Sequence, residues 1–174
     1  MALDLAAKLE QQAGQAPLGG VLDATVNLAA ATKTDLGGAA DIAAKAMQQF
    51  GTQAGDLPKM IDQLFNATQK STFDLGDMAQ ALGQAGGVAA QSGVKFDDLN
   101  TALVTISPNF FSGADAGTSL KNMLVNLVPQ TKSAKEEMEA LGLKFTDAHG
   151  KFLPMRDIVG QLHDAFGGLT DAQK

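Results

Sequence analysis

Apolar residues recur at steps of three and four through most of the chain, the period of a helix with one buried face. The cleanest stripe is Phe96, Leu99, Leu103, Ile106 and Phe110, and Pro108 inside it predicts an end or a bend. Leu36, Ala39, Ala43, Met47 and Phe50 give a helix closed by Gly51 and Gly55. Asp56 is expected to cap the next helix, with Pro58 in its first turn and Leu57, Met60, Ile61, Leu64 and Phe65 on its apolar face. Asp74 opens another, carrying Leu75, Met78, Ala79, Leu82 and Ala89 and closed by Gly93. Gly83, Gly86 and Gly87 interrupt it, either as a kink or as a place where a neighbour comes close. Upstream, the pattern predicts a polar helix over residues 2–13, a break at Pro17 and Gly19-Gly20, and a helix over residues 21–31. Lys33, Thr34 and Asp35 supply a turn and a cap.

In the second half, Gly113 and Gly117 stand four apart and share one helical face, continued by Leu120, Met123, Leu124, Leu127 and Val128 before Pro129. Two glycines in a helix cost about 1 kcal/mol each in propensity, a cost usually tolerated where another backbone must come close. Gly113, Gly117, Thr118, Leu120 and Leu124 are therefore the candidate helix-packing site. Ser133 and Glu136 have capping-box spacing for a short charged helix ending at Gly142. Residues 143–153 change period: Leu143, Phe145 and Phe152 flank Asp147-Ala148-His149-Gly150, which predicts a small β-hairpin. A last helix carries Met155, Ile158, Val159, Leu162 and Phe166 and ends at Gly167-Gly168. Thr170-Asp171 has the form of one more cap.

The expected fold is all-α, a multi-helix bundle of short helical hairpins with one small β-hairpin near residues 143–153. Residues 1–31 form an N-terminal helical segment and residues 32–174 the main module. One internal echo stands out: Asp35-Leu36-Gly37 recurs as Asp74-Leu75-Gly76, and Gln53-x-Gly55 as Gln91-x-Gly93. The offsets, 39 and 38, make residues 35–65 and 74–103 candidates for related helical hairpins.

Composition sharpens this. The aliphatic content is largely alanine and aromatics are only 5%, which suits closely spaced helices better than a β-sandwich. A net charge of -6 with no basic cluster disfavours duplex DNA and anionic lipid. There is no cysteine, which excludes disulfides and thiolate chemistry. The N-terminus lacks a basic and then apolar leader, and no apolar run approaches the ~20 residues that span a bilayer. The chain is therefore expected to be soluble and cytoplasmic when made.

Candidate chemistry is sparse. His149 lies near Asp147 in a turn and His163 beside Asp164 on a helix, pairings that orient an imidazole for base catalysis or simply stand in solvent. Without a G-x-S-x-G or HExxH motif, the solvated reading is preferred. Glu10, Glu136, Glu137 and Glu139 are the only glutamates, and the last three fit a solvated charged helix better than a glycosidase pair. Gly83, Gly86 and Gly87 sit in a helical pattern, not after a strand, so they do not read as a phosphate loop. The Gly113-x-x-x-Gly117 spacing is that of membrane helix dimers, but Asp115, Lys121 and Asn122 exclude a bilayer setting. No enzymatic activity, cofactor or metal is expected.

Residues 114–121, ADAGTSLK, closely resemble the AGT-[SA]-[LF]-[RK] signature of the tail tape measure (minor tail) proteins of long-tailed bacteriophages. The resemblance is ordered along the chain. Ala39-Ala40-Asp41-Ile42 matches an AADI-like core, Ala67-Thr68 and Ser71 the opening of the following helix, and residues 88–94 a V-A-x-x-x-G-V pattern. The signature and Val128-Pro129 follow. Then come Leu141-Gly142-Leu143, the Asp147-x-x-Gly150 turn, the helix with Ile158 and Leu162, and Leu169-Thr170-Asp171-Ala172-Gln173. One departure precedes the signature: Ser107-Pro108-Asn109-Phe110-Phe111 replaces a loop of small residues.

The resemblance implies a structural protein of a phage or prophage tail. Such proteins form an extended helical filament inside the tail tube, around which tube subunits polymerise with help from tail assembly chaperones. Filament length fixes tail length, and the protein leaves ahead of the DNA. The implied partners are the tail tube protein, the chaperones and other tape measure copies, with contact to the host envelope and no sequence-specific nucleic-acid binding. The implied places are the tail lumen of the virion and the host cytoplasm during assembly. As one helix this chain would measure about 260 Å. Its glycine and proline breaks predict instead a compact module of a longer protein, ending as a further helix opens. The alternative is a membrane-active helical module that opens its bundle to enter the envelope.

Overall fold

The computed structural model describes residues 18–167. The helix expected over residues 2–13, Glu10 and the cap at Thr170-Asp171 lie outside them. The described residues are all-α, with eight α-helices. They are α1 (Leu18–Thr32), α2 (Leu36–Phe50), α3 (Leu57–Lys70), α4 (Leu75–Gln91), α5 (Phe96–Ile106), α6 (Gly113–Asn126), α7 (Lys132–Ala140) and α8 (Met155–Gly167).

The first six helices form two layers. Helices α1, α3 and α5 begin at 39-residue intervals (Leu18, Leu57, Phe96) and pack in that order. Helices α2, α4 and α6 interleave with them and form the second layer. Within a layer the helices run parallel. Gly20 near the start of α1 faces Pro58 near the start of α3, and just past the ends of α3 and α5 the N–H of Thr72 donates to Ser107 Oγ at 3.2 Å. In the second layer, Gln49 on α2 lies against Gly86 on α4, and Gly113 and Gly117 on α6 lie against Asp77 and Ala81 on α4. The echo expected for residues 35–65 and 74–103 therefore recurs at the start of α6. Asp35, Asp74 and Ser112 each cap their helix by accepting from the N–H three residues on.

The core lies between the layers. Leu28, Leu57, Ile61, Leu64, Leu75, Met78, Leu99, Leu103 and Leu124 are fully buried in it. Ala39, Ala43, Ala81, Ala85, Ala89 and Ala116 fill the closer approaches. The first layer stops at α1, where Leu22 is 52% exposed while its equivalent in α3, Ile61, is 2% exposed.

Several expectations are corrected. Gly19-Gly20 does not break the chain: both lie in the first turn of α1, and Gly20 meets Pro58 Cγ as α1 packs on α3. Asp56 precedes α3 but its side chain makes no cap bond, because a 3-10 turn (Ala54–Asp56) holds its backbone in the α region. Thr131, not Ser133, caps α7: its hydroxyl accepts from the N–H of Ala134 at 3.1 Å, two residues ahead of the expected cap.

The β-hairpin does not form. Residues 143–153 make a tight loop with one isolated bridge, Thr146 to Phe152. Its ladder cannot lengthen. The N–H of Lys144 donates to Gln161 Oε1 on α8 at 2.7 Å, and Pro154 has no N–H to give. The N–H of Phe152 points outward and donates to the Ser92 carbonyl at 2.7 Å, which docks the loop on the α4–α5 turn. Phe145 and Phe152 are buried there with Ile158 of α8. That burial, not strand pairing, accounts for the apolar alternation.

Candidate functional site

Among the described residues, the most constrained glycine contact is between α4 and α6. A Cβ on Gly113 would overlap the Asp77 carbonyl and lie 2.8 Å from the Asp77 Cα. A Cβ on Gly117 would lie 2.5 Å from the Ala81 carbonyl oxygen and 2.7 Å from its Cα. Both obstacles are backbone, so no rotamer change relieves them. Glycine at 113 and 117 lets the two helices touch main chain to main chain.

Sequence sets the neighbourhood. Ala116, Leu120 and Leu124 continue the buried face of α6, and Thr118 sits half-buried at its margin. Met123 and Val128, expected on the same stripe, are each 41% exposed. Contacts pair residues 36 apart, so Val128 overhangs the end of α4 at Gln91.

A polar relay starts the contact. Asp74 Oδ1 accepts from the N–H of Asp77 at 2.8 Å, and Asp77 Oδ1 accepts from the N–H of Gly113 at 3.0 Å. Ser112 Oγ accepts from the N–H of Asp115 at 3.2 Å and donates to Asp115 Oδ2 at 2.8 Å. The N–H groups of Gly113 and Asp115 are thus met by the Asp77 carboxylate of α4 and by the Ser112 hydroxyl, while the carboxylates of Asp77 and Asp115 stand at the positive dipole end of α6. Sequence reading missed Asp77; its signal was an acid three residues after the Asp74 cap, one helical turn along.

A second feature lies on the other side of α4. Gln49 Nε2 donates to the Leu82 carbonyl at 3.3 Å, its amide resting on the bare Cα of Gly86. Ile42, Lys45, Ala46, Ala79, Leu82 and Gly83 line a shallow cleft of about 340 Å³ beside it. Lys45 at its rim is paired with Asp41 at 2.7 Å. The glycines of α4 do not interrupt it; Gly86 admits a neighbour, while Gly83 and Gly87 face open space.

The backbone N–H of His149, not its ring, donates to Asp147 Oδ1 at 2.8 Å, and the N–H of Lys151 donates to the same oxygen at 3.0 Å. Those donors, Lys151 first, hold the Asp147 carboxyl below the usual carboxylate range. His163 Nδ1 lies 3.3 Å from Asp164 Oδ1, and both side chains are over 80% exposed. Glu136 and Glu139 pair with Lys132 and Lys135 across one turn of α7, in solvent. Among the described residues, no group of three or more His, Asp or Glu is placed to share a metal ion.

Two buried polar groups were also not legible. Ser107 is fully buried, donating to the Val104 carbonyl at 2.9 Å and accepting from Thr72. Asn100 is 4% exposed, and both its amide oxygen and its nitrogen lack a partner. Beside Ser107, in the segment that departs from the tape measure pattern, Phe111 stands fully exposed.

The sequence profile of the family described as "Phage-related minor tail protein" matches residues 2–174. The "Tape measure protein" of Pneumococcus phage Dp-1 is 28% identical over 155 residues, covering 89% of this chain and 13% of that protein. The "Probable tape measure protein" of Escherichia phage P2 is 27% identical over 105 residues, covering 60% of this chain and 13% of that protein. The chain thus spans about an eighth of the length of these relatives. No solved structure matches.

Proposed function

Because the chain belongs to the phage-related minor tail protein family, a family of phage tail structural proteins, we propose that it is a folded helical module of a tape measure protein that organises tail assembly. The observation that carries this reading is the backbone contact between α4 and α6, made through Gly117 of the family-like signature and Gly113 just before it. A contact that no side chain can relax fixes the register of two helices, which suits a part that must present one defined surface.

In this reading the module serves the long protein that sets tail length, scaffolds the tube and leaves ahead of the DNA. Its partners are the tail tube protein, the tail assembly chaperones and other copies of itself. It acts in the host cytoplasm during assembly and then in the tail lumen. It does no bond-breaking chemistry, and a peptidoglycan digest with the purified module is expected to release no fragments.

In-frame deletion of the module from its full-length protein tests the assembly role. If the residues count as ruler, tails shorten by about 260 Å at a helical rise of 1.5 Å per residue. If they form an assembly module, tails become rare and the few that form differ in length by far less. Shortened tails in normal number would overturn the proposal.

One observation favours a second reading, a module active at membranes. Phe111 stands fully exposed beside Phe110 at one end of the layers. Among the described residues no helix is long and apolar enough to cross a membrane, so such activity would need the layers to open. Leakage of dye from vesicles that falls when Phe111 is changed to Ser would favour this reading over the first.

A further inference from the structure

The helical repeat does not stop at α1. Residues 2–14 repeat residues 39–51: Ala2, Asp4, Ala6, Ala7, Lys8, Gln11, Gln12 and Gly14 recur as Ala39, Asp41, Ala43, Ala44, Lys45, Gln48, Gln49 and Gly51. That is eight identities in thirteen positions, and Leu5 stands for Ile42. The likeness runs on. Gln15-Ala16 recurs as Gln53-Ala54, and Leu18, Asp23 and Asn27 of α1 recur as Leu57, Asp62 and Asn66 of α3. Residues 2–32 therefore copy the α2–α3 unit from end to end.

The fold places the second half of that copy where the repeat requires. Helix α1 lies in the first layer beside α3, starting 39 residues earlier, just as α3 lies beside α5. The second layer shows where the other half belongs. Helix α4 is gripped on opposite faces: Ala79, Leu82 and Gly86 meet α2, while Asp77 and Ala81 meet α6. Helix α2 uses one such face, Ile42, Ala46 and Gln49, against α4. At about 100° per residue, Ala40, Ala44 and Met47 form its opposite face. They are the counterparts of Ala79 and Gly83, which line the cleft between α2 and α4, and of Gly86, on which Gln49 of α2 rests.

We propose that residues 2–14 seat on the Ala40, Ala44 and Met47 face of α2, as α2 seats on α4. Leu5, Leu9 and Gln12 hold the places of Ile42, Ala46 and Gln49 and turn toward α2. Two exchanges are matched in size. Met47 replaces Gly86 beneath the glutamine, and Leu9 replaces Ala46, so the pair sits wider than α2 and α4 and larger side chains fill the space. The outcome is a second layer of four parallel helices, extended by a segment of the same chain. This inference is independent of the assembly role: it stands on the internal repeat and the packing of α2, α4 and α6.

The cysteine-free chain makes the test direct. In the full chain, Gln12→Cys combined with Met47→Cys, the counterparts of Gln49 and Gly86, is expected to form an intrachain disulfide on mild oxidation. Gln12→Cys with Gln49→Cys, whose second position lies on the α4 side, is expected to stay largely reduced. Equal oxidation of the two pairs, or disulfide-linked dimers alone, would overturn the proposal; the second result would assign the face to another copy. Hydrogen exchange on the unsubstituted chain gives an independent readout. The amides of residues 5–12 are expected to exchange at least about a hundredfold more slowly than in an unstructured peptide. Exchange at the unstructured rate would equally overturn it.

Discussion

Asp77 Oδ1 accepts a hydrogen bond from the backbone N–H of Gly113 at 3.0 Å, so the first turn of α4 caps the first turn of α6. The same residue's backbone is what a Cβ at position 113 would strike. Asp77 thus holds the helix start while its main chain requires glycine there. Asp77→Ala is expected to lower stability by about 1 kcal/mol, the usual worth of a lost N-terminal acceptor, with Asp77→Asn closer to the parent. Thermal or urea unfolding followed by circular dichroism measures both. An unchanged midpoint for Asp77→Ala would show the bond to be energetically idle.

The two faces of α4 predict opposite responses to the same substitution. Gly117→Ala forces α6 away from Ala81 and is expected to cost about 1–3 kcal/mol, while Gly117→Leu is expected to abolish folding or the native oligomeric state. Gly83→Ala enters open space within a helix and is expected to stabilise by about 0.5–1 kcal/mol. A Gly117→Leu chain with parental helicity, solubility and oligomeric state would refute the packing role of the signature.

Asn100 is a buried amide with neither polar atom paired. Its counterpart one unit earlier is the buried Ile61. Asn100→Leu removes the desolvation cost and keeps the volume similar, so it is expected to raise stability by about 1–3 kcal/mol. Differential scanning calorimetry reads this as a higher Tm. A lower Tm would show that the amide is satisfied in solution.

Asp147 organises the loop docked on the α4–α5 turn through the N–H groups of Lys151 and His149. Those bonds hold its carboxyl below its ordinary value, so the folded state binds the proton less readily than the unfolded chain. The contribution is complete above the ordinary aspartate range and is lost as pH falls through the lowered value. The amide resonances of His149 and Lys151 are expected to shift together in that acid window. In Asp147→Asn the shift should vanish; its persistence would assign the titration to another group.

The helices were legible because their period, caps and glycine stops act within one or two turns. Asp35, Asp74, Gly51 and Gly93 do in three dimensions what local chemistry predicts. The Gly113 and Gly117 spacing showed that a helix would come close, but not which one. Where local options compete, the pattern failed. Thr131 and Ser133 both have a capping hydroxyl, and Phe145 and Phe152 alternate as a strand does.

The amino-acid order by itself determined the helical period of most of the chain, the first sign of its repeat and its family likeness, since each is written in near-neighbour spacing. Only the tertiary structure decided that α6 lies on α4, that Asp77 caps a helix 36 residues away, and that residues 143–153 dock as a loop. Those outcomes turn on which backbone donors and apolar faces remain unused after each helix forms, and their partners lie far along the chain.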